Sequence, residues 1–358
     1  MHEPSPEPGS RPALIYPFQL TPAPGQALEV APGVRWLRMS LPMTALNHIN
    51  VWALRDGDGW TLVDTGMNTP ATAANWRSAC ATALAGPIRR VICTHMHPDH
   101  IGMAGWLTRE HACRLWTTRL EYITCRMLVA DTGREAPADG VNFYREAGWD
   151  DAALEHYKTR FGGFGKAVYA LPDSYRRVVD GEELDIGGRS WRAVVGRGHS
   201  PEHLCLYCPE LRVLISGDQV LPRITSNVSV FPTEPDADPL SEWLTSLAAI
   251  RARVSDEVLV LPSHNEPFRG LHARLERLIR GHEERLAVLQ QELTTPRRAI
   301  DVFSVLFRRK IGPDALGMAT GEALAHLNCL ITRGLAVREA DASGISWYRG
   351  ANHSATPL

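Results

Sequence analysis

The sequence predicts a mixed α/β fold with a layered core of sheets and helices, followed by a smaller helical unit that ends in a β-hairpin. Short apolar stretches such as Val91-Ile92-Cys93 predict buried strands, because strands covered on both faces are continuously apolar. The chain has 358 residues, of which 44% are hydrophobic, so it is long enough for more than one domain with a substantial core.

The elements follow one another in a recognisable order. Apolar periodicity predicts early strands at 34–39, 49–54 and 60–64, a helix at 72–84, a strand at 91–93 and a helix at 101–110. Further strands are predicted at 191–196, 212–216 and 258–261. Helical periodicity then predicts helices at 271–293, 297–309 and 320–334, and two short strands follow at 336–339 and 345–349.

The segment Thr94-His95-Met96-His97-Pro98-Asp99-His100 directly follows the strand at 91–93 and contains four possible metal ligands. A turn at a strand end can direct several imidazoles at one point, whereas a regular strand or helix would spread them. Imidazole suits zinc or iron, and a carboxylate adds a hard oxygen donor. The spacing therefore predicts a pair of adjacent metal ions.

Further Asp and His residues appear wherever another predicted strand stops. Asp64 lies in Val63-Asp64-Thr65-Gly66, and His199 begins His199-Ser200-Pro201-Glu202-His203. Asp218 ends Ser216-Gly217-Asp218, and His264 follows Pro262-Ser263.

With these five motifs in order over roughly 31–264, the chain resembles the metallo-β-lactamase-fold hydrolases, the superfamily of glyoxalase II. The resemblance implies an αβ/βα four-layer sandwich with two metals at one edge of two sheets. It implies that Asp64 is not a ligand but orients the ligand-bearing loop through hydrogen bonds. It assigns His95, His97 and His199 to the first metal, Asp99, His100 and His264 to the second, and Asp218 to both.

The chain departs from the family pattern at two places. The family often has two consecutive glycines where this chain has Gly102-Met103-Ala104-Gly105, and glycine where it has Glu202. Both departures concern the shape and charge of the pocket.

Zinc is the first choice for the two divalent ions, with iron and manganese as alternatives, because His and Asp bind all three.

The chemistry implied by paired metals is hydrolysis by a metal-bound hydroxide, because a bound water has its pKa lowered from 15.7 to about 7. No Ser or Cys nucleophile is needed. Asp99 is, in addition, a candidate proton shuttle.

A helical, aromatic-rich insertion is predicted at about 119–180, between the second and third motifs. One interpretation is a lid whose Tyr144 and Phe164 hold an apolar acyl group, and His203 is a further candidate for contact with substrate. The alternative is that the aromatic residues form an ordinary core. The histidines outside the motifs, which include His282 and His326, are predicted at the surface.

The unit at 269–350 resembles the winged-helix-like module of lactamase-β-like proteins, which raises the alternative of an endoribonuclease. Its third helix carries almost no Lys or Arg, whereas a helix that reads nucleic acid is normally basic. A positive cluster lies on the second helix instead, formed by Arg297, Arg298, Arg308, Arg309 and Lys310.

The favoured function is an ester or thioester hydrolase acting on a small acyl substrate of the acyl-CoA or glutathione thioester type. An endoribonuclease guided by the winged helix, a lactonase and a non-catalytic binding module are the alternatives. A net charge of −2 argues against nucleic acid and anionic membranes as partners, and no apolar stretch reaches the ~20 residues that span a bilayer. An exposed apolar insertion would favour a homodimer.

The remaining expectations concern the ends of the chain and its compartment. Residues 1–20 are predicted to be a disordered arm, 21–268 the hydrolase domain and 351–358 a tail. The arm lacks the apolar segment of a secretory signal. Seven scattered cysteines without framework spacing favour the cytoplasm.

Overall fold

Two sheets pack face to face in the computed structural model, which describes residues 14–43, 46–308 and 310–351. Helices cover the outer face of each sheet, so the predicted four-layer αβ/βα sandwich is confirmed. The seven-stranded sheet contains, in spatial order, β1 (Ala27–Ala31), β2 (Val34–Ser40), β3 (His48–Asp56), β4 (Gly59–Val63), β5 (Ile88–Ile92), β6 (Arg114–Thr117) and β7 (Arg176–Arg177). The five-stranded sheet contains, in chain order, β8 (Glu183–Ile186), β9 (Arg189–Gly196), β10 (His203–Cys208), β11 (Val213–Gly217) and β12 (Leu259–Pro262).

Side chains alternate between the two faces of each strand, and this alternation produces three separate hydrophobic layers. On β3, Trp52 and Leu54 face the second sheet, whereas Val51 faces the outer helices. On β10, Leu206 faces the first sheet and Tyr207 faces the opposite helices. Both sheets are therefore buried on both faces, which explains the continuous apolar stretches of the sequence.

The predicted helices of the sandwich are present with shifted ends, and the helix at Pro239–Arg253 was not predicted. The predicted helix at 101–110 is interrupted at Gly102 and Met103, where the N–H of Met103 donates to the carbonyl of Gly66 at 3.0 Å. The helices are α1 (Pro70–Thr82), α2 (Pro98–Ile101), α3 (Ala104–Glu110), α4 (Arg119–Ala130), α5 (Ala138–Glu146), α6 (Asp151–Arg160), α7 (Pro239–Arg253) and α8 (Leu271–Glu292).

The insertion contains α4, α5, α6 and a 3-10 turn at Phe164–Ala167, and it connects β6 to β7. The predicted helical character of this segment is thus present.

None of the helices in the described ranges is long and apolar enough to cross a membrane.

The C-terminal unit differs from its prediction in its second and third helices. The single helix predicted at 297–309 is instead a 3-10 turn at Ala299–Val302 followed by the one-turn helix α9 (Phe303–Leu306). Three β-branched residues, Ile300, Val302 and Val305, lower the helix propensity of this segment. The third helix, α10 (Leu316–Thr332), begins four residues earlier than predicted because a 3-10 turn at Pro313–Ala315 leads into it. The hairpin β13 (Ala336–Ala340) and β14 (Ser346–Gly350) closes the unit.

The prediction of a disordered arm at 1–20 is wrong for residues 14–20. Ile15 pairs with Arg269, Tyr16 packs below the guanidinium of Arg223, and Phe18 lies edge-on to Trp36. These contacts fix the segment across both hydrophobic layers. Residues 1–13 of the arm and 352–358 of the predicted tail lie outside the described residues.

The prediction that His282 and His326 lie at the surface is also wrong. Both side chains are buried where α8, α10 and α7 meet, with the His282 ring edge-on to Trp243. Nδ1 of His282 lies 3.2 Å from Nε2 of His326, whose Nδ1 donates to the carbonyl of Glu322. Burial, followed by the mutual repulsion of the two rings, lowers the pKa of His282 to about 3, and burial lowers the pKa of His326 to about 4.

This pair is expected to make the fold sensitive to acid. The unfolded chain takes up protons near pH 6.5, whereas the folded chain keeps both rings neutral until about pH 4 and below. The stability that the neutral rings provide is therefore complete above pH 6.5 and is lost as the pH falls. Urea unfolding at a series of pH values should give a free energy that is flatter for His282→Gln/His326→Gln than for the unmodified chain. Between about pH 4 and 6.5, the slope of the unfolding free energy against pH should differ between the two proteins by an amount that approaches two protons taken up on unfolding. Identical slopes would contradict this prediction.

Candidate metal centre

The candidate site lies at one edge of the sandwich, where five connections leave the ends of neighbouring strands. Asp64 follows β4, the segment from His95 to His100 follows β5, and His199 follows β9. Asp218 follows β11, and His264 follows β12. The predicted residues are therefore brought together by strand ends that meet at the same edge.

The first group consists of His95, His97 and His199. Nε2 of His95 lies 2.8 Å from Nδ1 of His97 and 3.3 Å from Nε2 of His199. A tetrahedral zinc site with bonds near 2.1 Å would separate its ligand atoms by roughly 3.4 Å. The three nitrogens thus have a spacing at which one ion can bind.

The second group consists of Asp99, His100 and His264. Oδ2 of Asp99 lies 3.3 Å from Nε2 of His264 and 3.6 Å from Nε2 of His100. This arrangement supplies two imidazoles and a carboxylate around a second position.

Asp218 lies between the groups and presents one oxygen to each. Its Oδ2 lies 3.6 Å from Nε2 of His199. Its Oδ1 lies 3.6 Å from Nε2 of His100 and 3.5 Å from Nε2 of His264. A carboxylate in this position can bridge two ions.

The imidazoles are oriented by acceptors behind them, which is how metal-binding histidines are usually held. His199 donates from Nδ1 to the carbonyl of Asn227 at 2.7 Å, and His264 donates to the carbonyl of His48 at 2.9 Å. These bonds leave Nε2 of each ring directed at the cluster.

Asp64 forms hydrogen bonds with the loop after β5. Its carboxylate accepts the N–H and hydroxyl of Thr94 and lies 2.9 Å from Nδ1 of His100. Asp64 is buried and has a φ of 62°, which is unusual for a residue with a side chain. The surrounding hydrogen bonds hold this strained backbone in place.

The residues present fit a pair of divalent cations. Nε2 of His100, Nε2 of His264 and Oδ1 of Asp218 are buried and have no hydrogen-bond partner among the described residues. Unpartnered buried polar atoms are costly, and these three converge on the same positions. Two divalent ions held there would supply a hydroxide near neutral pH and polarise a substrate oxygen.

The two halves of the cluster differ in their electrostatics. Burial and the neighbouring imidazoles lower the pKa of His95 well below its ordinary value, which favours the neutral form that binds a metal. Burial alone would lower the pKa of His264, but Asp218 and Asp99 raise it to about 10. The carboxylates thus attract positive charge to the second position.

His203, a candidate for substrate contact, lies beneath Asp218. Its side chain is fully buried, and its Nε2 accepts the backbone N–H of Asp218 at 3.0 Å. Gly217 has a φ of 52°, and a Cβ there would lie 2.4 Å from the His203 ring. The imidazole therefore supports the turn that carries Asp218 rather than facing the open side of the cluster.

The other two candidates for substrate contact pack in hydrophobic layers. Tyr144 stacks on Trp149 with ring centroids 4.2 Å apart and packs against the C-terminal unit. Phe164 packs against the layer outside the first sheet. These positions match the core alternative for the aromatic residues of the insertion.

Glu121 forms hydrogen bonds with the loops of the candidate site, and the sequence analysis did not identify it. This buried carboxylate in the first turn of α4 accepts hydrogen bonds from the backbone of Met96 and from Ser200. Burial raises its pKa to about 7, against the opposing effect of these bonds. The sequence offered one indication of this role: an acidic residue lies shortly after the end of β6, as Asp64 does after β4.

The C-terminal unit reaches the site through the connection after β11. Asn227, whose carbonyl orients His199, donates from its side chain to Glu322 on α10 at 3.2 Å. The N–H of Val230 donates to the carbonyl of Gly321, also on α10. The backbone behind His199 is thus held by the C-terminal unit.

Comparison with known proteins gives two family matches. A model of the metallo-beta-lactamase superfamily matches residues 45–264, and a model of the metallo-beta-lactamase-like C-terminal domain matches residues 286–351.

Three relatives illustrate the similarity. A beta-lactamase domain protein from Burkholderia ambifaria has a solved structure with a TM-score of 0.86 and 41% identity, which covers 94% of this chain and 98% of that one. The probable metallo-hydrolase YqjP of Bacillus subtilis is 25% identical over 325 residues, 88% of this chain and 94% of the relative. The atrochrysone carboxyl ACP thioesterase of Aspergillus fumigatus is 24% identical over 241 residues, 66% of this chain and 42% of the relative.

Proposed function

Because this chain belongs to the metallo-beta-lactamase superfamily, we propose that it is a hydrolase that uses two divalent ions to cleave an ester or thioester bond. The observation that carries the proposal is Asp218, which presents one carboxylate oxygen to each of two groups of ligands. Two ions about 3.5–4 Å apart are suited to attack on a carbonyl carbon, because one position can hold the nucleophile while both polarise the substrate.

The relatives support this reaction class. YqjP is named a probable metallo-hydrolase, and the Aspergillus fumigatus relative is named a thioesterase for an acyl carrier protein. A thioester is therefore a reasonable first substrate class for this chain.

Apolar side chains near the site favour an acyl group as substrate. Leu120, Ile123 and Met127 are 41%, 51% and 43% exposed and share one face of α4. The N–H of Leu120 donates to the carboxylate of Glu202, three residues after His199. This apolar face therefore begins beside the loop of a metal ligand and extends away from it, where an acyl chain could lie.

The charges of the C-terminal unit give little support to the nuclease alternative. Arg298 is paired with Asp301 at 2.8 Å, and Arg297 lies 3.8 Å from Glu292. Helix α10 is largely buried against other helices, so it does not present a face for a nucleic-acid groove. Arg309 of the predicted basic cluster lies outside the described residues.

The proposal predicts a preference for apolar acyl chains. The purified protein should hydrolyse acyl-CoA thioesters with a KM that falls as the acyl chain lengthens. Because burying a large aliphatic side chain is worth about 1.5–3 kcal/mol, Ile123→Ser should raise the KM for a long-chain substrate roughly 10-fold. The kcat for a short-chain substrate should change little, since the contact is remote from the carbonyl.

Val288→Ser is the matched control, because Val288 is 49% exposed on α8 and lies in a different helix. This variant should keep the kinetics of the unmodified chain. S-D-lactoylglutathione, a homoserine lactone and single-stranded RNA complete the panel. Cleavage of RNA together with inertness toward every ester and thioester would contradict the proposal.

A further inference from the structure

We infer that Glu121, on the insertion, is a positioning residue for the first metal site and acts on that site separately from the second. The inference rests on the proposed metal-dependent function only in requiring that both groups of ligands bind an ion. It assigns to the insertion a part in building the site.

The contacts of Glu121 connect the two loops that carry the first group of ligands. Its Oε2 accepts the N–H of Met96 at 2.8 Å, and Met96 lies between His95 and His97. Its Oε1 accepts the hydroxyl of Ser200, the residue after His199, at 2.7 Å. The same oxygen accepts the N–H of Glu202 at 2.7 Å. One side chain thus fixes all three histidines relative to one another.

The burial of this carboxylate indicates that its contacts are specific. Glu121 is fully buried, and its partners among the described residues are hydrogen-bond donors rather than cations. A buried carboxylate is costly unless its oxygens are well bonded. Removing it would leave the backbone N–H groups of Met96 and Glu202 without this acceptor, and an unpaired buried N–H is costly. The loop of His95 and His97 would therefore no longer be held in a fixed position relative to the loop of His199.

A different network holds the second group. Asp64 contacts His100 directly, and the carbonyl of His48 orients His264. Asn50 donates to the carbonyls of Pro262 and Asn265 on either side of His264. Asp64 also reaches the first group through Thr94, which lies 3.1 Å from Nδ1 of His95 and 3.3 Å from Nδ1 of His100. The direct supports of His100 and His264 are thus groups other than Glu121.

The start of α4 is bound to the same loop from its own side. The hydroxyl of Thr118 donates to the carbonyl of Glu202 at 2.7 Å, and the carboxylate of Glu202 accepts the N–H of Leu120. These reciprocal bonds place Glu121 rigidly, so the helix and the His199 loop form one unit.

Two variants test the inference by metal binding alone. Glu121→Ala removes the acceptors, and Glu121→Gln keeps the shape but directs an NH2 group at a donor on one of the two loops. Metal-free protein is titrated with Zn²⁺ by calorimetry. Loss of an outer support of metal ligands typically costs 10–100-fold in affinity, so we expect one of two Zn²⁺ ions to bind about 10–100-fold more weakly and the other to be unchanged.

Reference variants identify which ion is lost. His97→Ala disables the first group and His264→Ala the second, and the Co²⁺ absorption spectrum of each defines the remaining site. The spectrum of Glu121→Gln at one equivalent of Co²⁺ should match that of His97→Ala. Asp173→Asn, which alters a fully exposed carboxylate that pairs with Arg126 on the same helix α4, should bind both ions normally.

Three outcomes separate the possibilities. Unchanged binding of both ions by Glu121→Gln and Glu121→Ala would overturn the inference. Equal weakening of both ions would also overturn it, because the role would then be general support of the fold. If the unmodified chain binds no ion, the proposed function itself fails.

Discussion

Asp218→Ala should abolish hydrolysis, with a decrease in kcat/KM of roughly 1,000-fold or more, because it removes the carboxylate shared by both groups of ligands. Interactions that stabilise charge in a two-metal site are worth several kcal/mol, and each 1.36 kcal/mol is a factor of ten in rate. Without the bridging anion, two divalent ions would repel each other at close range. Metal content should therefore fall from two ions per chain to one or none.

Elemental analysis, steady-state kinetics and circular dichroism of the same preparation check this result. The fold should remain, because the backbone N–H of residue 218 can still donate to His203. Asp218→Asn serves as the conservative variant, since it keeps the shape of the side chain and one acceptor oxygen. A variant that retains two ions and more than a tenth of the activity would contradict the bridging role.

Trp243→Ala is expected to be the most destabilising of the predicted substitutions, at about 3–5 kcal/mol. Trp243 is fully buried in the layer that joins the second sheet, α7, α8 and α10. Its Cβ also lies 2.4 Å from the position that a Cβ would take on Gly198, the residue before His199. The cavity would therefore open next to the turn that carries the candidate ligand His199.

Urea denaturation followed by circular dichroism measures the change in stability. Trp347→Ala is the matched control, because Trp347 is only partly buried on the C-terminal hairpin and bonds to Asp341. The control should lose much less stability than Trp243→Ala. Equal midpoints for the two variants would show that the layer around Trp243 does not dominate the stability of the fold.

The layered fold and the grouping of the candidate ligands were expected from the resemblance to the family, which rests on short local motifs. Each motif of candidate ligands begins within a few residues of the end of an apolar stretch, as His95 does after β5 and His264 after β12. Strand ends meet at one edge, so adjacency in space could be inferred without knowing the pairing of strands. The long apolar face of α8 was equally plain, and its predicted limits are nearly those observed.

What could not be predicted depends on contacts between distant segments. Glu121 was overlooked because β6 is four residues long and carries exposed Arg114, so its end was not recognised as part of the metal edge. His282 and His326 are buried by helices that meet only after folding. A polar residue on an amphipathic helix gives no local sign of such burial. Tyr144 was compatible with both a lid and a core, and only the packing against the C-terminal unit distinguishes them.

The bond between Asn227 and Glu322 has a consequence for how the molecule opens. The segment from Asn227 to Val230, whose Asn227 carbonyl contacts His199, is joined to α10 by this side-chain bond and by the N–H of Val230, which donates to the carbonyl of Gly321. Segments that share such contacts tend to lose their structure together, as one cooperative unit. Native-state hydrogen exchange should therefore give similar opening free energies for the two regions. A C-terminal truncation that removes α10 should then increase hydrogen exchange around His199 as well.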